Sequence, residues 1–172
     1  EGPIDTGEVP EDGSYFDVIV VGGGPSGSAA ASYNAMNGCK VLLIEKEVWP
    51  RDKVCGDAVG GKSLSHVKEL GVKEMVESTP HFMVDSIVFG SANGNTVKVM
   101  LPQDDFEKKM AGYSLPRKQF DYMMFKRATE IVTEAGGSVI QGFNVKEVQE
   151  DEGKITGVTG NFGGRSSKSP TL

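Results

Sequence analysis

Cysteine is scarce in this chain of 172 residues, with only Cys39 and Cys55. Two cysteines cannot build a disulfide framework. Without a C-x-x-C pair or a Cys/His cluster there is no metal-ligand spacing to read, so no metal is expected and a reducing, cytoplasmic setting is the default. Long apolar runs are also missing. The longest, Val18–Val21 and Val41–Ile44, are core-strand lengths, far short of the roughly 18 residues that span a bilayer. There is no basic surplus: 18 Lys and Arg stand against 24 Asp and Glu, for a net charge of -6. Nucleic-acid phosphates call for a basic surface, so no nucleic-acid partner is expected. The sequence shows no internal repeat and no signal-peptide pattern. It opens at Glu1 without Met, so its start reads as processed or truncated.

Glycine is plentiful instead, at 23 residues, and its placement orders the chain. Glu1–Ser14, acidic and rich in Gly and Pro, reads as a flexible lead-in. Asp17–Val21 is a β-branched apolar run suited to a strand buried on both faces. Gly22–Gly27 is a turn, Ser26–Asn37 a helix stopped by Gly38, and Val41–Ile44 a second buried strand ending at Glu45. This strand–turn–helix–strand order is the unit of a parallel, doubly wound sheet.

Val48–Gly61 reads as a long glycine-bearing loop, of a length that usually carries function. A helix follows with Leu64, Val67 and Leu70 on one side and Gly71 as its stop. Ser86–Phe89 and Thr96–Leu101 read as strands joined through Asn93-Gly94, a strong hairpin signal. This hairpin belongs to an inserted β-rich layer at about 80–112. Arg117–Ala135 is the longest helix, with Phe120, Met124, Ala128, Ile131 and Ala135 on one stripe. Ser138–Ile140 returns as a strand, Val145–Val148 and Lys154–Val158 form a hairpin around Asp151-Glu152-Gly153, and Asn161–Leu172 is a frayed polar tail. The domain proper is thus 15–160.

Gly22-Gly23-Gly24-Pro25-Ser26-Gly27 fits G-x-G-x-x-G after a strand and before a helix. Gly22 permits the tight turn, Gly24 lets backbone approach a pyrophosphate, and Gly27 lets helix and strand lie close. Pro25 and Ser26 open the helix, whose free N–H groups face the phosphates. Glu45 stands about 20 residues on, where an acid bonds the ribose hydroxyls of a dinucleotide, and it disfavours a 2′-phosphate there.

Three segments together, Asp17–Gly27 (DVIVVGGGPSG), Val41–Lys46 (VLLIEK) and Pro50–Asp57 (PRDKVCGD), resemble the geranylgeranyl reductase family of flavoproteins. The wider superfamily of that family includes aromatic-ring hydroxylases and flavin-dependent halogenases. Leu115–Asp121 (LPRKQFD) is similar to the Arg-x-x-Phe-Asp motif that opens a helix across the superfamily. The resemblance covers Tyr15–Val158 and implies a Rossmann-like, three-layer α/β fold that binds FAD. The family's second FAD motif and C-terminal half have no counterpart here, so the fold is expected to be incomplete and the chain inactive alone.

The resemblance also implies roles. Lys46 follows the ribose acid in the second segment. Arg51 or Lys53, with Gly56 and Asp57, would lie toward the flavin, Arg117 toward the phosphate or ribitol, and Val145 against the adenine through its backbone. Cys55 and Asp57 are the residues for catalysis, as proton donor or pocket wall beside the flavin. The implied activity is delivery of a hydride to C=C bonds of an isoprenoid chain on a lipid or pigment precursor, with NAD(P)H or another reductant as electron donor and peripheral association with membrane. A monooxygenase or halogenase, and a non-catalytic FAD-binding or electron-transfer module, are the alternatives. His66 reads as a surface residue, His81 as a loop residue without a catalytic partner, and Cys39 as core.

Overall fold

The computed structural model describes residues 2–101 and 112–163. The chain forms two compact units, one of Glu1–Asp52 with Asp121–Leu172, the other of Lys53–Phe120.

The first unit is built on a parallel sheet of β1 (Val18–Val21), β2 (Val41–Glu45) and β8 (Ser138–Gln141), in the order β1-β2-β8. Val18 pairs with Val41 and Leu42 with Ser138, so the strands run in step. β2 is the middle strand, and all five of its residues are buried. β1 differs from its expectation. Its residues are half-buried and Val21 is 56% exposed, because β1 ends the strand order among the described residues and has one neighbour instead of two. Helix α1 (Pro25–Met36) follows β1 and buries Ser28, Ala31, Ser32 and Ala35, small side chains that let it lie close to the sheet.

Helix α4 (Arg117–Glu134) contributes Asp121 onward to this unit. Its buried face is wider than the stripe read from the sequence. Met123, Phe125 and Val132 are buried beside Met124, Ala128 and Ile131, whereas Ala135 is exposed past the helix end. A long antiparallel pair, β9 (Phe143–Asp151) with β10 (Lys154–Phe162), completes the unit. Its turn is a tight hairpin with positive φ at Glu152 and Gly153. β10 carries the strand through Asn161 and Phe162, which the sequence assigned to a frayed tail. Phe162 pairs with Phe143 and packs edge-on against its ring, an apolar contact that holds the strand end. Residues 164–172 lie outside the described residues. Leu42, Ile44, Ile140 and Phe143 form the core here, with Val145 packed against them.

The lead-in is pinned at two points despite its polar composition. Ile4 is buried and its carbonyl accepts from Gln141 Nε2 at 2.6 Å, and the Gly2 carbonyl accepts from the Tyr122 hydroxyl at 3.1 Å.

The second unit is β-rich. β3 (Ala58–Gly60), β7 (Gly112–Ser114) and β4 (Phe82–Val84) form an antiparallel sheet in the order β3-β7-β4. The short β3 lies inside the stretch read as loop; its Val59 is buried and pairs with Tyr113 of β7. Helices α2 (Ser63–Glu69) and α3 (Lys73–Glu77) bury Leu64, Val67 and Val76. The expected hairpin is present as β5 (Ser86–Gly90) and β6 (Thr96–Met100). No helix among the described residues is long and apolar enough to cross a membrane.

Candidate functional site

The glycine loop sits at the carboxyl ends of β1 and β2, where open parallel sheets bind ligands. Its first three residues are tied down by hydrogen bonds. The Gly22 N–H donates to the Ile44 carbonyl at 2.7 Å, and Gly22 turns with φ +105°, a conformation that favours glycine. The Gly23 N–H donates to Glu45 Oε2 at 2.7 Å, and the Gly23 carbonyl accepts from the Ser28 hydroxyl at 3.0 Å. Gly24 is the extended N-cap of α1, Pro25 follows it, and no side chain caps the helix start, which leaves that end to a ligand.

The three glycines of the motif have distinguishable roles. A Cβ on Gly27 would overlap the Gly22 carbonyl oxygen, so Gly27 is demanded by the fold. A Cβ on Gly24 would meet nothing but Arg51 Nη2 at 3.5 Å, so Gly24 keeps open a space lined by a guanidinium. Gly23, an unspecified position in the motif, is constrained by side chains: its Cβ would lie 2.5 Å from the Phe125 ring and 3.1 Å from Glu45 Cβ.

Glu45 is buried and holds the loop from the neighbouring strand. Its Oε1 accepts from the Glu47 N–H at 2.9 Å while Oε2 accepts from Gly23. A carboxylate has about four acceptor positions, so two remain for ribose hydroxyls. Lys46, next in sequence, is exposed.

Arg51 stands beside Gly24, on the phosphate-loop side. Its Nη1 pairs with Asp121 Oδ2 at 3.1 Å, and its guanidinium carbon lies 4.4 Å from the centroid of the Trp49 ring. Trp49 stacks on Phe125 with centroids 5.2 Å apart. Of these, Asp121 was legible as the last residue of the Arg-x-x-Phe-Asp segment. Ser28, Trp49 and Phe125 carried no sequence signal beyond polarity or apolarity.

Gly22, Gly24, Pro25, Ser26, Gly27, Glu45 and Arg51 are therefore brought together in the first unit. Val145 lies on β9 of the same unit, half-buried and paired with Gly160. Lys53, Cys55, Gly56, Asp57 and Arg117 belong to the second unit. Cys55 is an exposed free thiol. Asp57 Oδ1 accepts from the Arg117 N–H at 3.2 Å, and the Asp57 carbonyl accepts from the Leu115 N–H at 2.9 Å. The Asp57 carboxylate thus serves the start of α4, a position that favours an acid. His81 is half-buried, with Nδ1 2.8 Å from the Thr79 carbonyl oxygen and its ring edge-on to Tyr113. His66 is exposed and 3.7 Å from Glu69. Among the described residues no group of three or more His, Cys, Asp or Glu is placed to hold a metal ion.

FAD fits the first unit. The open face of Gly24, the uncapped helix start and the Arg51 guanidinium suit a pyrophosphate, and Glu45 suits the adjoining ribose. Comparison with known proteins agrees. The chain is 33% identical over 161 residues to digeranylgeranylglycerophospholipid reductase of Methanocella arvoryzae, covering 86% of this chain and 35% of that protein. It is 45% identical over 87 residues to conditioned medium factor receptor 1 of Dictyostelium discoideum, covering 50% of this chain and 17% of that one. The chain thus spans about a third or less of the length of these relatives. Among solved structures, the myxobacterial chondrochloren halogenase CndH superimposes with a TM-score of 0.76 at 24% identity, over 91% of this chain and 34% of that one, and shares the Rossmann-type fold. The model of the FAD dependent oxidoreductase family matches residues 17–168, from the first strand to the end of the β9–β10 hairpin and beyond. By that match the chain belongs to the FAD-dependent oxidoreductases, whose cofactor is FAD.

Proposed function

We propose that the whole protein reduces carbon–carbon double bonds in an isoprenoid chain carried by a lipid or pigment precursor. The observation that carries this reading is the 33% identity to a digeranylgeranylglycerophospholipid reductase across 86% of the chain. The segment Lys53-Val54-Cys55-Gly56-Asp57 supports it. When bound and reduced, FAD supplies a hydride to one alkene carbon. The chain must then hold the alkene, exclude water and deliver a proton to the other carbon. An electron donor such as NAD(P)H restores the reduced cofactor, and a greasy substrate brings the protein to a membrane surface.

The test is direct. The complete protein, reduced without oxygen and given digeranylgeranylglycerophospholipid, should add two hydrogens per double bond, read by mass spectrometry. An unchanged lipid together with a halogenated aromatic product in the presence of halide and oxygen would favour the second reading, a halogenase. That reading draws on the fold shared with CndH.

For the proton we propose Cys55, which is exposed in the second unit, in preference to Asp57, whose carboxylate is engaged by the backbone of Arg117. Cys55→Ser is expected to lower turnover by about 10²–10⁴-fold, the range typical of lost acid catalysis. FAD content should stay unchanged. A Cys55→Ala protein with turnover near that of the parent would remove the thiol from the chemistry.

A further inference from the structure

We infer that Asp121 is a positioning residue for cofactor binding, acting through Arg51 to set a phosphate-binding guanidinium beside Gly24 before any ligand arrives. The side chain of Asp121 is 0% exposed and that of Arg51 16% exposed, with Nη1 and Oδ2 3.1 Å apart. A carboxylate so deeply buried is tolerated only when paired, so the ion pair is a fixed element of this unit and not a mobile surface contact.

Two further restraints act on the same group. The Trp49 ring lies under the guanidinium at 4.4 Å, and the stack of Trp49 on Phe125, tilted by 23°, fixes that platform. Phe125 also lies against Gly23, and a Cβ at Gly24 would stand 3.5 Å from Nη2. The guanidinium is a rigid fork with donors on several edges. Engaging one edge with Asp121 and the face with Trp49 leaves the Nη2 edge turned toward the glycine loop.

A lone arginine would lose much of its side-chain freedom when it closed on a phosphate. Here that loss is taken at folding, so binding is tighter than charge alone would give. Asp121 contributes orientation. Its charge opposes that of an incoming phosphate, so a purely electrostatic role would predict that its removal strengthens binding.

The inference rests on the FAD reading, and the experiment separates the two. The complete protein, stripped of cofactor, is titrated calorimetrically with FAD, ADP and adenosine. A parent protein that binds neither FAD nor ADP would defeat the FAD reading itself. With binding established, Asp121→Asn is expected to weaken ADP and FAD by about tenfold, some 1.4 kcal/mol, and adenosine by less than about twofold, a separation that a general loosening of the fold would not give. Arg51→Gln should weaken ADP as much or more, and the double variant should be no weaker than Arg51→Gln alone. Arg51→Lys, which keeps the charge and loses the fork, should also lose ADP affinity, and it serves if Asp121→Asn does not fold. Equal loss of ADP and adenosine, additive effects in the double variant, unchanged or tighter ADP binding in Asp121→Asn, or parent-like ADP binding by Arg51→Lys would each overturn the inference.

Discussion

Gly27→Ala is expected to abolish FAD binding and to destabilise the protein markedly. The added methyl group would overlap the Gly22 carbonyl oxygen, with the Gly22 carbonyl carbon 2.9 Å away and Val20 Cγ1 at 3.5 Å. The first two are backbone atoms, so no rotamer change relieves the overlap. Either α1 moves off β1 or the Gly22 turn opens. Both routes strain the Gly22–Ile44, Gly23–Glu45 and Ser28–Gly24 hydrogen bonds that define the loop. Overpacking of a core costs about 1–3 kcal/mol, occasionally more, and a backbone overlap belongs at the upper end. FAD affinity should fall by at least about 100-fold, or some 2.7 kcal/mol.

Gly24→Ala is the internal contrast. Its Cβ meets only Arg51 Nη2 at an ordinary 3.5 Å, and Gly24 has φ −68°, which alanine adopts freely. The cofactor-free protein should melt within about 0.5 kcal/mol of the parent while FAD binding is lost, because the methyl group takes the space of the pyrophosphate. Flavin-fluorescence titration with thermal melts of the cofactor-free proteins decides the matter. Parent-like FAD binding by Gly27→Ala, or a Gly24→Ala protein as unstable as Gly27→Ala, would show that the roles of the two glycines are misassigned.

These two glycines also mark how far sequence reading reaches. The loop, α1, β2 and Glu45 were legible because everything they require is local: a run of β-branched residues, a glycine spacing, an acid at the next strand end. Gly23 was not legible, since its constraint is the ring of Phe125 on a helix that arrives much later in the chain. Arg51 could be read as a cation near the cofactor, but not as one held at the phosphate loop. Its partner Asp121 is 70 positions away, and its platform Trp49 offers no pattern beyond a lone aromatic. The exposure of β1 among the described residues marks the same limit. An apolar run states what a strand can bury, whereas the number of its neighbours is a property of topology. β3, β4 and β7 escaped because each has three residues, fewer than any of the strands that were read has in the structure, and α3 because a helix of five residues is little more than one turn, too short for a period of two or 3.6 to register.

Glu45→Gln is expected to weaken both the loop and the recognition of ribose. Glu45 is 4% exposed, and its carboxylate accepts two backbone N–H groups, from Gly23 at 2.7 Å and from Glu47 at 2.9 Å. An amide has one oxygen, so in either orientation its NH₂ faces an N–H donor. One buried donor is then left unsatisfied and the remaining bond loses its charge. Hydrogen bonds to charged groups are worth about 1.5–3 kcal/mol, so a loss of roughly 2 kcal/mol in the stability of the cofactor-free protein is expected. If the two remaining acceptor positions serve the ribose, the parent should prefer ADP over 2′-deoxy-ADP, and Glu45→Gln should lose most of that preference while ADP itself binds about tenfold more weakly. Titration of both nucleotides into both proteins, with a denaturant melt of each, measures the two effects apart. A variant as stable as the parent would mean that the carboxylate does not hold the loop. A parent that fails to distinguish the two nucleotides would confine Glu45 to that structural task and remove it from the cofactor.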